Sequence, residues 1–474
     1  MNKDMSYQAV MDRRGEIMKR AVGIDYEKFE RTPVAFDYES MMREVGYSLD
    51  QVRDIQTETG IGNTPLLELK NISKLARQLA PKGKGARIFL KDEACNPSGS
   101  FKARRGSVSV YHAKEHGYKG VISATSGNYG AAVASQAAMR GLDCIVVQEV
   151  YDSQYKGQPE IMEKGRKCES YGAEVLQLTV GPELFYEFLV LLEETGYFNA
   201  SLYTPFGIAG IETLGYELAE QSKKQAGKAP DAVIVTNAGG GNLTGTARGL
   251  EQAGCADTEI IAASVDLSGL HSASDHDFNR KSFTTGHTGF GMPFTTWPDR
   301  SDVPRSAARP LRHMDKYVTV TQGEVFYITE ALAQLDGLER GPAGNTSLAA
   351  AFDLAQTMDE DEVLVVQETE YTSAGKHPYA QLKFAQDQGI EVKRGNPAKE
   401  DKPGERIVIP EKPEQIQTSS VELDKLRKSY LKNVVKNTGV KELKPEEMAF
   451  VSAELGIDEQ QVSQLIDQVL REEG

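Results

Sequence analysis

The strongest constraint in this chain is an alternation. From about residue 86, short runs rich in valine, isoleucine and alanine take turns with stretches of helical periodicity. ARIFLKDE, GVISATS, DCIVVQEV and AEVLQLTV come first, then DAVIVTN, EIIAASVD and EVLVVQETE. Nearly continuous apolar runs belong to strands buried on both faces of a parallel sheet. Parallel neighbours need crossovers, and helices predicted over 101–116, 128–140 and 159–171 supply them. The expected fold class is α/β, with mostly parallel sheets flanked by helices and right-handed crossovers.

Residues 1–60 are polar and helix-rich, an expected arm that ends at TGIGNTPLLEL. Between 267 and 316 neither period lasts, which marks a long functional or irregular loop. Near 393 the alternation gives way to KRGNPAKEDKPGERIVIPEKPEQ, expected as a charged connector. Beyond it, 420–474 predicts about three amphipathic helices. Ser420, Lys444 with Pro445, and Asp458 are the expected starts, and Gly439 and Gly456 the stops. Their apolar stripes are expected to be covered by a second subunit or another copy of the chain.

Charge narrows the partners. Sixty-nine acidic residues against 54 basic ones give a net charge of −15, which argues against nucleic acid or an anionic membrane as the main partner. No apolar run approaches a membrane span. MNKDMSYQAVMDRRGE lacks the apolar segment of a secretory signal, so a cytoplasmic protein is expected. Cys95, Cys144, Cys168 and Cys255 form no CxxC pair, so neither a metal cage nor a disulfide framework is expected.

Three motifs carry chemistry. In CNPSGSFKARRG, Lys102 stands at the mouth of a predicted helix. The positive end of the helix dipole disfavours a protonated amine there, and a neutral amine is the nucleophile of Schiff-base chemistry. Pro97 and Gly99 shape the loop, and Ser98 and Ser100 are candidate caps. In TSGNYG, free N–H groups at a helix start can grip a carboxylate, with the Asn128 amide beside them. In NAGGGNLTG, three glycines let the backbone wrap a phosphate. This loop is neither a dinucleotide fingerprint nor a Walker loop. Each motif alone has a plain alternative: a solvated lysine, a packed turn, a tight turn. Together they suit one cofactor with an aldehyde, a ring and a phosphate, pyridoxal 5′-phosphate.

In this order ExxNPSGSFKxR (93–104), TSGNYG and GGGNLTG resemble the fold-type II pyridoxal-phosphate enzymes, which include threonine synthases, dehydratases and cysteine synthases. The likeness covers roughly 60–390. It implies a tryptophan synthase β-like fold of two lobes, with a catalytic core over 61–392, a smaller lobe near 107–205 inserted in the larger, an arm over 1–60 and an extension over 393–474. Lys102 would hold the Schiff base and move protons. Asn128 would meet the cofactor's ring hydroxyl, and Thr125, Ser126 and Gly127, with Asn128, the substrate carboxylate. Gly239, Gly240, Gly241, Asn242 and Leu243 would hold the phosphate by backbone N–H. A hydroxyl from Thr369, Thr372 or Ser373, with Thr372 favoured, would face the pyridine nitrogen.

The arm, the lysine segment and QETEYTSAGKHPYAQLKFAQDQG are similar to the larger subunits of 2-amino-4-oxopentanoate thiolases. That resemblance implies cleavage of 2-amino-4-oxopentanoate with coenzyme A to alanine and acetyl-CoA, through a Schiff base on Lys102 and a Cβ carbanion held as an enamine. It also implies a small second (alpha) subunit and a homodimeric core within a hetero-oligomer. The shared motifs leave a threonine synthase-like or dehydratase-type lyase as the alternative.

Other features compete for a role. His271, His276 and His287 with Asp275 and Asp277 match no standard metal spacing. Arg300, Arg305, Arg309, Arg312 and Lys316 read as a solvated loop or as a cradle for coenzyme A phosphates. Cys95 reads as a packed loop cysteine or an acyl carrier, and Trp297 as part of a lid.

Overall fold

The computed structural model describes residues 3–125, 127–181, 183–268, 281–285, 297–300, 302–371 and 377–473. Its larger sheet runs, edge to edge, Leu66–Glu68, Arg87–Asp92, Val363–Glu368, Ala232–Thr236, Glu259–Val265, Lys316–Val320 and Ser419–Ser420. The inner strands are parallel and both edge strands antiparallel. A smaller, all-parallel sheet runs Glu174–Thr179, Asp143–Tyr151, Gly120–Thr125 and Phe198–Asn199. Val363–Glu368 is buried along its whole length, as a strand covered by helices on both faces must be. The α/β class expected from the valine and isoleucine runs is the class found.

Strand order fixes where a ligand can sit. From Ala232–Thr236 the chain steps outward to Glu259–Val265 and Lys316–Val320, then returns to place Val363–Glu368 on the other side. In the smaller sheet, Gly120–Thr125 lies between Asp143–Tyr151 and Phe198–Asn199. Such reversals open a crevice at the carboxyl ends of the strands. All three motif loops emerge beside these two reversals.

The arm is helical, with Tyr7–Asp12, Arg14–Val22, Tyr38–Arg43 and Leu49–Thr57. Its Ile17, Met18 and Val22 join Val121, Phe188 and Leu189 in one core cluster. At the other end, Leu423–Thr438, Pro445–Leu455 and Glu459–Glu473 form, with Gly439 and Gly456 in the left-handed conformation at the two stops. Their stripe, including Leu431, Val451, Val462 and Val469, packs with Leu218, Val233 and Leu311. This corrects the expectation that another subunit covers it. Ser419–Ser420 pairs with Lys316–Val320 just before the first of these helices, so the extension starts already docked on its own sheet. The first helix consequently starts after Glu422, not at Ser420. The stretch expected as a connector holds a parallel pair, Glu391–Gly395 with Arg406–Pro410, whose Ile407 and Ile409 pack on Phe326.

Candidate active site

The segment before Lys102 is fixed by a buried ionic clamp. Arg104 donates to Glu93 through Nε (2.7 Å) and Nη2 (2.8 Å), and Nη2 reaches Glu217 at 3.1 Å. Asn96 donates to Glu93 at 2.7 Å, the Thr64 hydroxyl donates to Glu93 at 2.6 Å, and Lys91 pairs with Glu217. Burial would raise the Glu93 pKa, but Arg104 and Lys91 outweigh it and hold the carboxyl down at about 2. Breaking such a pair from one side costs on the order of 3–5 kcal/mol. The Glu, Asn and Arg of the motif are therefore scaffolding for the loop. Ser98 and Ser100 do not cap the helix: Phe101 is the cap residue, and both hydroxyls are buried with no partner among the described residues.

The loop is also stitched to the segment after Val363–Glu368. Phe101 N–H donates to Thr369 O (3.0 Å) and Tyr371 N–H to Gly99 O (2.8 Å). Lys102 then opens the helix Lys102–Glu115. Burial, reinforced by the charge of Arg105, lowers its amine to about 7.

A cavity of about 200 Å³ brings the predicted residues together: Lys102, Thr125, Gly127, Asn128, residues 239–242 and Thr369 all line it. Thr125 Oγ1 accepts from the N–H of Gly127 (2.9 Å) and Gly130 (3.3 Å), shaping the turn into helix Asn128–Arg140. Gly240 has φ +78°, where a side chain would be strained, and a Cβ there would strike the Pro310 ring. Asn242 donates from Nδ2 to Gln367 Oε1 at 2.8 Å. Leu243 does not line the cavity, since its side chain is buried in the core with Val233 and Val235. Ser126, Thr372, Ser373 and the His271, Asp275, His276, Asp277 and His287 group lie outside the described residues.

The cavity holds groups that the sequence did not single out. Arg105 stands one helical turn after Lys102 on the same face. The i, i+3 spacing was the available signal. The Glu370 carboxylate meets the Asn128 amide and lies 3.4 Å from Lys164, which pairs with Glu160. Burial opposes the charge of Lys164, but these two carboxylates raise its pKa. Burial pushes the Glu149 carboxyl up to about 8, so it carries a proton at neutral pH. Nothing in local spacing announces these three.

The other candidates make contacts of their own. Arg309 and Arg312 pair with Glu454, Arg300 with Asp302, and Lys316 with Glu259. Four of the five basic residues are thus tied to the chain's own carboxylates, while Arg305 stands over the Phe36 ring at 5.2 Å. The Cys95 thiol donates to Asp92 at 3.2 Å, is absent from the cavity lining, and has its pKa raised by burial and by Asp92. Both effects oppose a nucleophilic thiolate. Trp297 packs toward Tyr430 of the C-terminal helices, with ring centroids 6.4 Å apart.

Residues 57–369 match the family described as pyridoxal-phosphate dependent enzyme. The chain belongs to this family. Among relatives of this pyridoxal-phosphate enzyme, the 2-amino-4-ketopentanoate thiolase beta subunit of Acetoanaerobium sticklandii is 66% identical over 99% of this chain and 100% of its own. The threonine synthase of Halalkalibacterium halodurans is 32% identical, over 41% of this chain and 49% of its own. The crystal structure of cysteine synthase from Entamoeba histolytica shares the fold, with a TM-score of 0.52 and 21% identity over 67% of this chain and 87% of that one. Pyridoxal phosphate is the enzyme's cofactor, and the cavity fits it. The cavity offers a lysine near neutrality, a glycine cradle at a helix start, and buried Arg105 nitrogens that lack partners among the described residues. Among the described residues no helix is long and apolar enough to cross a membrane.

Proposed function

We propose that this chain is the larger, cofactor-bearing subunit of a thiolase that cleaves 2-amino-4-oxopentanoate with coenzyme A, giving alanine and acetyl-CoA in ornithine degradation. The supporting observation is the breadth of the likeness: 66% identity runs through arm, core and C-terminal helices, whereas the threonine synthase likeness spans 41% of the chain. A small alpha subunit, a homodimeric core and a cytoplasmic location complete the proposal.

Bound pyridoxal phosphate supplies an electron sink for negative charge at the substrate's Cα and Cβ. Lys102 holds the cofactor, then moves the proton at Cα. A pKa near 7 lets its amine both accept and return that proton at neutral pH. The N–H groups of 125–128 bind the substrate carboxylate, and Asn128 orients the cofactor ring through its hydroxyl. Backbone N–H groups of 239–243 hold the phosphate at the start of helix Gly241–Gln252. One hydroxyl among Thr369, Thr372 and Ser373, with Thr372 favoured, faces the ring nitrogen. The two lobes keep water from the reacting carbons.

The test is acetyl-CoA formation from 2-amino-4-oxopentanoate and coenzyme A by the chain co-expressed with its small subunit. Product is expected only with both substrates, and none from Lys102→Ala. Turnover of threonine or phosphohomoserine with no acetyl-CoA would move the assignment to the lyase alternative.

A further inference from the structure

Arg105 is a charge without an answer among the described residues. Its side chain is 2% exposed, and Nε and Nη2 are buried with no hydrogen-bond partner among the described residues. The groups around it are Tyr129, Tyr203 and a second cation, Arg300, and no carboxylate of the described residues forms an ion pair with it. A buried, unpaired guanidinium is unfavourable, so its site is complete only with an anion.

Its position says which anion. The guanidinium lies against Gly241, the first residue of helix Gly241–Gln252. A Cβ there would stand 2.5 Å from Nη2 and 2.7 Å from Nη1. Gly239 is crowded in the same way by the Tyr203 hydroxyl, over whose ring Arg105 stands at 5.7 Å. Guanidinium, glycine backbone and helix start therefore converge on one corner of the cavity, opposite the 125–128 loop in sequence and sheet. Lys102 and Arg105 share a helix face, so the distance from amine to guanidinium is set by one turn.

We infer that Arg105 grips the phosphate of the cofactor, adding a fixed positive charge to a cup otherwise made of backbone N–H groups. The inference rests on the proposed placement of pyridoxal phosphate between Lys102 and 239–243. A planar donor fork suits a phosphate monoester dianion better than a lysine would. After burial, the same charge lowers the pKa of the neighbouring Lys102 amine, so one residue serves both ends of the cofactor.

The experiment compares pyridoxal 5′-phosphate with pyridoxal, which lacks the phosphate, as ligands of cofactor-free wild type, Arg105→Gln and Arg105→Lys. The wild type is expected to favour the phosphorylated form strongly. Arg105→Gln should bind it about 10- to 100-fold more weakly, the range of a charge-assisted hydrogen bond. Pyridoxal affinity should stay within about 2-fold, and Arg105→Lys should recover part of the loss. Equal losses for both ligands, or no loss, would overturn the role of Arg105. Failure of the wild type to bind either ligand would overturn the cofactor placement itself. A crystal structure of the wild-type holoenzyme decides the matter even if the glutamine variant fails to fold. A phosphate oxygen in hydrogen-bond contact with the guanidinium upholds the inference, and a phosphate out of its reach ends it.

Discussion

Burial beside Arg105 holds the Lys102 amine near 7, against an ordinary value of 10.5. The neutral amine is the form that attacks an aldehyde. Uptake of pyridoxal phosphate by the cofactor-free protein should therefore quicken as pH rises from about 6 to 8 and level off above. Stopped-flow absorbance across pH 6–10 checks this, and a midpoint near 10 would refute the buried-amine account. At this scale the sequence was partly legible. Lys102, Asn128 and the glycines, which line the cavity, can be picked out because helix starts and glycine runs advertise free N–H groups along the chain. Arg105, Lys164, Glu149 and Glu370 cannot, because their meaning depends on burial. ARRG looks the same whether its second arginine faces water or a sealed corner, and residue 370 meets residue 128 only through the stitching of 369–371 to 99–101.

The helix Pro445–Leu455 reaches back to the glycine loop. Its Glu454 accepts from Arg309 Nε at 2.9 and 3.0 Å. The Arg309 N–H donates to Thr244 Oγ1 at 2.9 Å, and the next residue, Pro310, backs Gly240 of the glycine loop. The C-terminal extension thus braces the glycine loop from behind. Glu454→Gln should cost about 2 kcal/mol in chemical denaturation, because Arg309 stays buried with a weakened partner. Cofactor affinity should fall several-fold with it. The exposed partner in Arg140–Glu58 serves as the contrast. Glu58→Gln should change stability by less than about 0.5 kcal/mol and leave cofactor binding alone. Strands such as Ala232–Thr236 and Val363–Glu368 were legible as apolar runs. Leu66–Glu68, Phe198–Asn199 and Ser419–Ser420 were not, since two or three residues carry no period.

For the molecule as a whole, the cavity draws on both sheets, so an occupant joins the lobes into one cooperative unit. Saturating pyridoxal phosphate, at about 100 times its Kd, should add about 2.7 kcal/mol to stability. Trp297, the chain's single tryptophan, sits beside Tyr430 far along the sequence from Lys102. Its fluorescence and the far-ultraviolet dichroism should shift to higher temperature together on cofactor addition. A dichroism transition that moves while the tryptophan transition stays put would mean the extension melts independently. What the alternation of runs and helices could not disclose at this scale is strand order. Parallel neighbours are chosen by packing across the sheet, and nothing in EVLVVQETE names its partners.

That order has a consequence for how the enzyme is born. Val363–Glu368 lies between Arg87–Asp92 and Ala232–Thr236, yet it leaves the ribosome after both, and after the whole smaller sheet. Until it arrives, the nascent chain carries a lysine loop and a glycine loop with no floor between them. Long-range pairing of this kind is the slow part of folding. The smaller sheet, built from one continuous stretch, can assemble while synthesis continues. Cofactor capture must then wait for Val363–Glu368 to slot in, which makes loading a late event in translation.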